Sequence, residues 1–208
     1  MLKYTIVKLN DLVKAFSENE NFVKNILATF SCENNKDVDR FLKEKAVLFD
    51  RQGWSKTHLV FTSYKTEMVL VGYFTLAPKS FVIIKNNRKS GADKIGKTLM
   101  KRIAKHARYD REMNQYTISA PLIGQLGKND KYSNLISGDV LLKYACDTVQ
   151  VAQSYIGGRF VYLECEDKPK LLDFYSTNGF VSFGRRNLEA DESDINGNYL
   201  IQMLKYLK

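Results

Sequence analysis

The stretch Ala120–Leu142 combines glycines, a polar loop and a helix start, a set of features that can bind a phosphate group. An apolar run, Leu122–Leu126, is followed by the polar segment Lys128–Ser137, and Gly138 leads into further apolar residues. This pattern predicts a strand, a loop and a helix. The first N–H groups of a helix have no partner inside it, and the helix dipole adds positive potential there. The stretch therefore predicts either a phosphate site or an ordinary strand–loop–helix connection.

A second motif, Phe174–Phe180, reads Phe-Tyr-Ser-Thr-Asn-Gly-Phe. It follows a predicted strand, Arg159–Cys165, and a short helix that starts near Asp167. A Phe-Tyr-x-x-x-Gly-Phe motif at this place resembles the GNAT family of acetyl-CoA-dependent N-acetyltransferases. Gly124–Gly127 and Ser133–Leu142 then resemble the fourth strand and the pyrophosphate loop of that family. The resemblance covers nearly the whole chain and implies an α/β GNAT acyl-CoA N-acyltransferase fold, with a mixed, mostly antiparallel sheet flanked by helices.

The resemblance also implies an activity and its residues. Acetyl-CoA is implied as co-substrate, and an amine acceptor would attack its thioester directly. Tyr175 matches the tyrosine that protonates the departing thiolate, since a phenol and a thiol have comparable reference pKa values, about 10 and 8.5. The alternative is a tyrosine that only packs, with its hydroxyl on a backbone group. The implied cofactor-binding residues are Leu126, Gly127, Lys128, Ser133, Asn134, Leu135, Ile136, Ser137, Gly138 and Asp139.

The predicted pyrophosphate loop departs from the family pattern, Gln/Arg-x-x-Gly-x-Gly/Ala. Leu135, Gly138 and Val140 occupy the matching positions, so only the central glycine is retained. Backbone N–H groups of Ser133–Asp139 would still offer donors to a pyrophosphate. The departure keeps open a non-catalytic acyl-CoA-binding or nucleic-acid-binding protein on a GNAT fold. Turnover of acetyl-CoA with any amine distinguishes the enzyme from such a protein.

Other kinds of catalytic site find little support. His58 and His106 lie in unrelated places without ligand spacing, so we expect no metal site. No Gly-x-Ser-x-Gly motif is present. No general base is evident, because Glu164, on the strand before Asp167, is equally explained as a charged residue of the sheet face. Solvent would then take the proton of the amine.

One segment fits a competing motif. Gly91–Thr98 matches Gly-x-x-x-x-Gly-Lys-Thr, the phosphate loop of nucleotide hydrolases, and a possible strand, Phe81–Ile84, precedes it. Asn86–Ser90 separates that strand from the first glycine, whereas a true phosphate loop follows its strand directly. Too little chain remains to alternate strands and helices into a parallel sheet. We therefore interpret this match as a coincidence, which binding of ATP would overturn.

Length and composition bound the class of protein. A chain of 208 residues predicts one domain, 1–208, and 44% hydrophobic with 26% charged residues is ordinary for a globular protein. Three cysteines far apart argue against a disulfide framework and for a reducing cytosol. The longest apolar run, Met68–Pro78, is too short for a membrane span, and no targeting segment is visible. We expect a cytoplasmic protein without membrane contact, and the sequence leaves open whether it forms a homodimer.

Net charge points to a polyanionic partner. The chain carries 32 Lys and Arg against 23 Asp and Glu, a net charge of +9. Lys79–Arg111 alone holds eleven Lys or Arg and two Asp. Its apolar residues recur at helical spacing, which predicts a helix with an outward basic face. Compared with the GNAT family pattern, the segment resembles an extended connection at about 79–116, between the third and fourth strands. With Tyr109 and Tyr116 nearby, this face fits a phosphate backbone, and equally an ordinary solvated helix.

The N-terminal third indicates a subfamily. Apolar residues at helical spacing in Phe22–Phe30 and Val38–Phe49 predict two amphipathic helices, the second ended by Gly53. The stretch Phe30–Val60 resembles the branch of GNAT proteins that contains toxins acetylating the amino group of aminoacyl-tRNA. That resemblance implies tRNA as a partner, while a shared structural helix without a shared substrate explains it equally well.

The remaining elements follow from periodicity and turn residues. Strands are predicted at Tyr4–Leu9, Thr57–Ser63 and Met68–Leu76, with Ala77-Pro78 ending the third of these. A later helix ends at Gly157-Gly158. The next helix has Asp167 as N-cap, Pro169 in its first turn and Gly179 at its end. Two last strands are predicted near Val181–Gly184 and Tyr199–Leu204. This order of elements is that of the GNAT family.

Overall fold

The computed structural model describes residues 3–84, 95–189 and 197–208. Its strands are β1 (Tyr4–Lys8), β2 (Lys56–Tyr64), β3 (Glu67–Ile84), β4 (Arg108–Asp110), β5 (Gln115–Lys128), β6 (Phe160–Cys165), β7 (Val181–Asn187) and β8 (Tyr199–Tyr206). Its helices are α1 (Leu9–Ala15), α2 (Glu20–Ala28), α3 (Lys36–Arg40), α4 (Ala46–Gln52), α5 (Lys97–His106), α6 (Gly138–Ile156) and α7 (Pro169–Thr177). A π-helical turn, Phe41–Lys45, makes α3 and α4 one continuous helix.

The contacts divide the chain into two compact units, and the boundaries between them fall inside β3, β5 and α6. The first unit is Met1–Ala77 with Gly124–Ala145, and the second is Pro78–Ile123 with Cys146–Lys208. Hydrogen-bonded strands follow the order β1-β2-β3-β5 in the first unit and β3-β5-β6-β8-β7 in the second, where β4 pairs with β5. The predicted mixed, mostly antiparallel α/β architecture is confirmed, while the single domain over 1–208 stays a prediction.

In the first unit, the N-terminal helices pack on the strands through the apolar faces that periodicity predicted. One cluster combines buried residues of α1, α2, the helix 36–52, β2 and β3 with Phe30, which follows α2. Its members are Leu9, Val23, Leu27, Phe30, Val38, Phe41, Leu42, Ala46, Leu59, Leu70 and Tyr73. Gly53 ends α4 with φ of +74°, a conformation that favours glycine. The predicted helices and their terminating glycine are confirmed.

The close packing of this core leaves no room for a side chain at position 127, which explains the glycine there. A Cβ atom at Gly127 would lie 2.5 Å from Cγ1 of Val38, 3.0 Å from Cζ of Phe30 and 3.2 Å from Cε1 of Tyr73. A residue larger than glycine therefore does not fit between these three side chains. Binding of the cofactor at Gly127 stays a prediction.

We expect Gly127→Ala to lower the free energy of unfolding by about 1–3 kcal/mol, because the added methyl group overpacks the core. Chemical denaturation measures the change. A double-mutant cycle with Val38→Ala tests its cause, since trimming Val38 makes room for the new methyl group. The two substitutions together should then cost less than the sum of their separate effects. Strictly additive losses would contradict the packing role.

In the second unit, strands from both halves of the chain surround one core. It contains Phe81, Ile83, Ile95, Ile103, Ile118, Ala120, Phe160, Tyr162, Phe183 and Leu204. β5 pairs in parallel with β6 at Leu122–Tyr162 and Ile123–Leu163, and β5 runs on to Lys128. β6 and β7 both pair antiparallel with β8. The predicted helix on the basic connection is confirmed as α5, which buries Ile103 completely.

The prediction that Ala77-Pro78 ends a strand is wrong, because β3 continues through Pro78 to Ile84. The register between β2 and β3 ends at the pair Lys56–Leu76. Beyond Leu76, the missing N–H of Pro78 therefore removes no hydrogen bond to β2. Pro78 is also exposed. Proline is tolerated at such an edge, and the local sequence does not reveal where a neighbouring strand stops.

Three further local details differ from expectation. The predicted first strand ends at Lys8, and Leu9, fully buried, begins the unpredicted helix α1. The short strand β4, paired with the start of β5, was not predicted either. Lys168, not Asp167, is the N-cap residue of α7, and the carboxylate of Asp167 instead accepts a 2.7 Å hydrogen bond from the hydroxyl of Tyr199. No helix among the described residues is long and apolar enough to cross a membrane.

Candidate functional site

The predicted loop and helix start lie at the end of β5. A short 3₁₀ helix, Asp130–Tyr132, opens the loop, and α6 begins at Gly138 as predicted. The N–H of Val140 donates to Oγ of Ser137 at 3.2 Å, and the N–H of Leu141 donates to the Ser137 carbonyl at 3.1 Å. Ser137 therefore caps α6. The N–H of Gly138 stands at the first helical position, where helix geometry supplies no acceptor.

The backbone donors of the loop fall into two groups. The N–H groups of Ser133 and Leu135 donate to carbonyl oxygens inside the loop, at 3.3 and 2.9 Å. Within the described ranges, the N–H groups of Asn134, Ile136 and Gly138 have no such acceptor. The second group can therefore meet an anion, while the first maintains the fold of the loop. The side chain of Ile136 is buried and anchors the loop to the protein.

Positive charge accompanies these donors. Nζ of Lys128 donates to the carbonyl oxygen of Ser133 at 3.3 Å, which holds its ammonium group at the loop. Lys131 lies within the 3₁₀ helix, its Nζ 5.5 Å from the centre of the Tyr132 ring. Backbone donors, two ammonium groups and a helix start are the chemistry that a phosphate group requires.

Asn129 fixes this loop and was missed by sequence reasoning. Its side chain is fully buried. Oδ1 accepts from the N–H groups of Ser31 and Lys131, both at 3.2 Å. Nδ2 donates to the carbonyl oxygens of Thr29 and Leu70, at 3.0 and 2.8 Å. Every donor and acceptor of the amide is thus engaged. Nothing in the sequence distinguishes Asn129 from the exposed Asn134 of the same polar loop.

We expect Asn129→Ala to lower the free energy of unfolding by about 2–4 kcal/mol, because it leaves several buried backbone groups without partners. Asn134→Ala is the matched control, since Asn134 is exposed and its loss should stay within about 0.5 kcal/mol. Denaturant unfolding of both variants gives the comparison. Equal stabilities would show that the amide of Asn129 does not hold the loop.

Two more side chains position the end of β5 and the loop. The backbone N–H of Gln125 donates to Oγ1 of Thr75 at 2.8 Å, and Nε2 of Gln125 donates to Oδ2 of Asp37 at 2.8 Å. The hydroxyl of Tyr4 donates to the carbonyl oxygen of Leu135 at 2.6 Å. The predicted cofactor strand and loop are therefore tied to β3, α3 and β1, elements that are distant in the sequence.

Tyr175 lies on α7 in the second unit. Its ring centre is 4.9 Å from that of Phe174 and 6.0 Å from that of Phe180. The N–H of Phe180 donates to the Tyr175 carbonyl at 3.0 Å, and Gly179 ends the helix with φ of +82°. In the part of the chain that the structure describes, no group accepts a hydrogen bond from the Tyr175 hydroxyl.

Burial raises the pKa of Tyr175 above its ordinary value, and the neighbouring Cys165 adds to the rise. The hydroxyl therefore keeps its proton throughout the neutral range and can act as a donor. Burial also raises the pKa of the Cys165 thiol to about 12, with Asp167 and Glu166 contributing. Cys165 is consequently a thiol at neutral pH and a poor nucleophile.

Glu164 is not poised as a general base. One carboxylate oxygen accepts from Nε of Arg186 at 2.7 Å, and the other accepts from Nε2 of Gln202 at 2.9 Å. The three residues lie on β6, β7 and β8 and join neighbouring strands. The ion pair and the amide of Gln202 together engage both carboxylate oxygens, so Glu164 acts as a structural residue of the sheet.

The remaining polar candidates carry no catalytic arrangement. His58 is buried against the ring of Phe74, 4.8 Å between ring centres, and burial lowers its pKa. Among residues 3–84, 95–189 and 197–208, no group of three or more His, Cys, Asp or Glu could hold a metal ion.

The phosphate-loop motif lies largely outside the described residues. Only its end is seen, where Gly96 is the N-cap of α5.

Comparison with known proteins identifies the fold. No protein-family model matches the sequence, and no curated protein matches it. A mutant of KacT matches 96% of this chain and 94% of its own, with 18% identity and a TM-score of 0.60. AtaT complexed with acetyl-methionyl-tRNAfMet matches with the same coverage, identity and score. AtaTR bound with acetyl-CoA matches 95% of this chain and 91% of its own, with 17% identity and a TM-score of 0.53.

At these identities the likeness establishes the fold. The chain has the GNAT fold that the tyrosine motif and the order of elements predicted. The matched structures include the AtaT Y144F mutant toxin, at 20% identity and a TM-score of 0.54, so the predicted likeness to the toxin branch is confirmed as a likeness of fold.

Proposed function

We propose that this GNAT-fold protein is an N-acetyltransferase that moves an acetyl group from acetyl-CoA to an amine. The observation that carries the proposal is the hydroxyl of Tyr175, on a half-buried side chain of α7, which has no hydrogen-bond acceptor among the described residues. A half-buried phenol with a raised pKa is protonated and available, as a general acid must be. The motif around it, from Phe174 to Phe180, is the one that resembles the family's catalytic tyrosine.

The loop before α6 supports the same proposal. The N–H groups of Asn134, Ile136 and Gly138 would bind the pyrophosphate, with the ammonium group of Lys128 neutralising charge. The backbone of Leu126 and Lys128 would pair with the pantetheine in the manner of an added strand. The departures from the family pattern at Leu135 and Val140 do not remove these donors, because the donors belong to the backbone.

Acetyl transfer by direct attack requires few groups from the protein. Acetyl-CoA, when bound, supplies an acetyl group activated as a thioester. As the amine nitrogen bonds to the carbonyl carbon and the bond between carbon and sulfur breaks, the hydroxyl of Tyr175 would give its proton to the sulfur and then regain one from solvent. Glu164 is already engaged in an ion pair. The acceptor amine must therefore arrive neutral, and solvent takes its proton after attack.

Release of the CoA thiol tests the activity. Purified protein is incubated with acetyl-CoA and a panel of amines, and a thiol reagent reports the free CoA. We expect release that depends on both substrates. A folded protein that binds acetyl-CoA but releases no thiol with any amine, aminoacyl-tRNA included, would identify the alternative function, a non-catalytic acyl-CoA-binding protein.

A second candidate concerns the acceptor, the amino group of aminoacyl-tRNA. The similarity to AtaT complexed with acetyl-methionyl-tRNAfMet and the net charge of +9 favour it. Transfer of labelled acetyl groups to charged tRNA, compared with uncharged tRNA, tests the acceptor directly, with the product measured as acid-stable label.

Partners are a separate proposal. Antitoxin and DNA complexes of the same group of proteins favour a protein or nucleic-acid partner. Location in the cytoplasm and assembly as a homodimer also remain proposals.

The pH dependence of turnover tests the state of the tyrosine. Because the pKa of Tyr175 lies above the ordinary value, about 10, the acid stays protonated and kcat should show no falling alkaline limb below about pH 10. The folded protein binds the Tyr175 proton more tightly than the unfolded chain does. The stability that this difference contributes is present below that pH and is lost as the pH rises above it. A falling limb near pH 8, absent from Tyr175→Phe, would contradict this assignment.

A further inference from the structure

Helix α5 presents three lysines in one line. Lys97, Lys101 and Lys105 follow one another four residues apart, and all three are exposed. Residues at this spacing share a helix face, and Lys97 and Lys105 are about 12 Å apart along the axis. We call these residues the lysine stripe. Arg108, also exposed, begins β4 directly after the helix.

The charge of the lysine stripe is not neutralised. Within the described part of the chain, none of its three ammonium groups forms an ion pair, and α5 contains no acidic residue. Like charges at this spacing destabilise a helix, so an ordinary solvated face mixes both signs. The repulsion among the three ammonium groups of the stripe is not offset by an acidic side chain in the described part of the protein. Its electrostatic complement is a linear polyanion.

An exposed aromatic ring lies next in the chain. Tyr109 on β4 is 40% exposed, and its ring centre is 4.8 Å from that of Tyr116, its partner in the strand register. Its hydroxyl donates to Oδ1 of Asn114 at 2.8 Å. The ring is therefore held in place while part of it faces solvent. Unpaired bases stack on such rings, whereas the bases of a duplex are already stacked on each other.

The other face of α5 excludes a membrane partner. Ile103 is fully buried and Leu99 packs against the same core. An interfacial membrane helix must insert its apolar face into lipid, and α5 has already buried that face in the protein. A partner consequently meets the exposed polar face of α5, which carries the lysine stripe.

We propose that the lysine stripe and Tyr109 bind single-stranded nucleic acid, with the backbone phosphates along α5 and a base against the tyrosine. This surface lies on the connection between β3 and β5, and the proposal stands apart from acetyl transfer. It requires neither acetyl-CoA nor turnover.

Fluorescence anisotropy of a labelled oligouridine of about twelve nucleotides tests the proposal, a length within the usual range of such sites. Lys97→Gln, Lys101→Gln and Lys105→Gln together should weaken binding at least about tenfold. They should also reduce the slope of log affinity against log salt by about 2, since each phosphate contact contributes about 0.7 for single strands. Tyr109→Leu should weaken binding about fivefold or more without changing that slope.

The matched control removes the same charge elsewhere, by Lys3→Gln, Lys14→Gln and Lys24→Gln, all at exposed positions. We expect a much smaller loss of affinity in this variant. Equal losses in the two triple variants would overturn the proposal, as would a duplex bound as tightly as the single strand. Polyglutamate that competes as well as the oligonucleotide would also overturn it.

The acetyltransferase proposal and the nucleic-acid-binding proposal can be refuted independently of each other. Circular dichroism and titration with acetyl-CoA should give the same results for wild type and the stripe variant. RNA binding that depends on the stripe, in a protein that releases no CoA, supports the surface and refutes the transferase. Release of CoA without binding of the oligouridine has the opposite meaning.

Discussion

Replacing Tyr175 by phenylalanine lowers the turnover number roughly 10²–10⁴-fold, the range typical of a lost general acid. The substitution removes one hydroxyl and keeps the ring, so the contacts with Phe174 and Phe180 persist. Acetyl-CoA affinity and the KM for the acceptor should therefore hardly change. Loss confined to kcat identifies an interaction that forms only in the transition state. Steady-state assays of CoA release, together with calorimetric titration, separate these quantities.

Tyr162→Phe is the control for this experiment. Tyr162 is another tyrosine of the second unit; it is buried on β6, and burial raises its pKa as well. Its ring packs against Phe81 in the core, and no chemical role is proposed for it. Turnover of Tyr162→Phe should stay near that of wild type. If Tyr175→Phe also turned over within about twofold of wild type, Tyr175 would only pack and the acid would be sought elsewhere.

Replacing Gly138 by glutamate abolishes binding of acetyl-CoA while the protein stays folded. The new side chain stands at the first position of α6, where it would occupy the place of the pyrophosphate and bring negative charge to it. The fold tolerates the change, since a carboxylate at a helix start interacts favourably with the dipole. Calorimetric titration measures affinity, and circular dichroism confirms the fold.

Gly138→Gln separates charge from size in this prediction. Glutamine has the shape of glutamate without its charge, so a site that selects anions should retain more affinity with glutamine. Wild-type affinity in a folded Gly138→Glu protein would refute the assignment of the loop. Equal loss in both variants would keep the loop as the binding site but attribute the effect to steric exclusion.

Local sequence was sufficient where an element is determined by its own residues. The helix 36–52 has an apolar face at regular spacing and ends at Gly53, whose positive φ favours glycine. The start of α6 follows from Gly138 after a polar loop, and Gly179 ends α7 for the same reason as Gly53. Periodicity and glycine conformation act within a few residues, so they can be recognised in one sequence.

Prediction failed where partners are distant in the chain. The side chain of Asn129 binds groups 59, 98 and 100 residues away, at Leu70, Ser31 and Thr29. The role of Gly127 depends on the side chain of Val38, and the passage of β3 through Pro78 depends on where β2 stops. Such features arise from packing between elements, which composition and spacing do not encode locally.

The amide of Asn129 has a consequence for how the first unit opens. It hydrogen-bonds at once to the end of α2, to β3 and to the candidate phosphate loop. These segments therefore cannot fray independently, and they form one cooperative unit for local unfolding. Amide hydrogen exchange at Ser31 and Lys131 should report the same opening event. An anion held at the loop would slow exchange about a hundred residues earlier in the chain, near residue 31, because both segments open together.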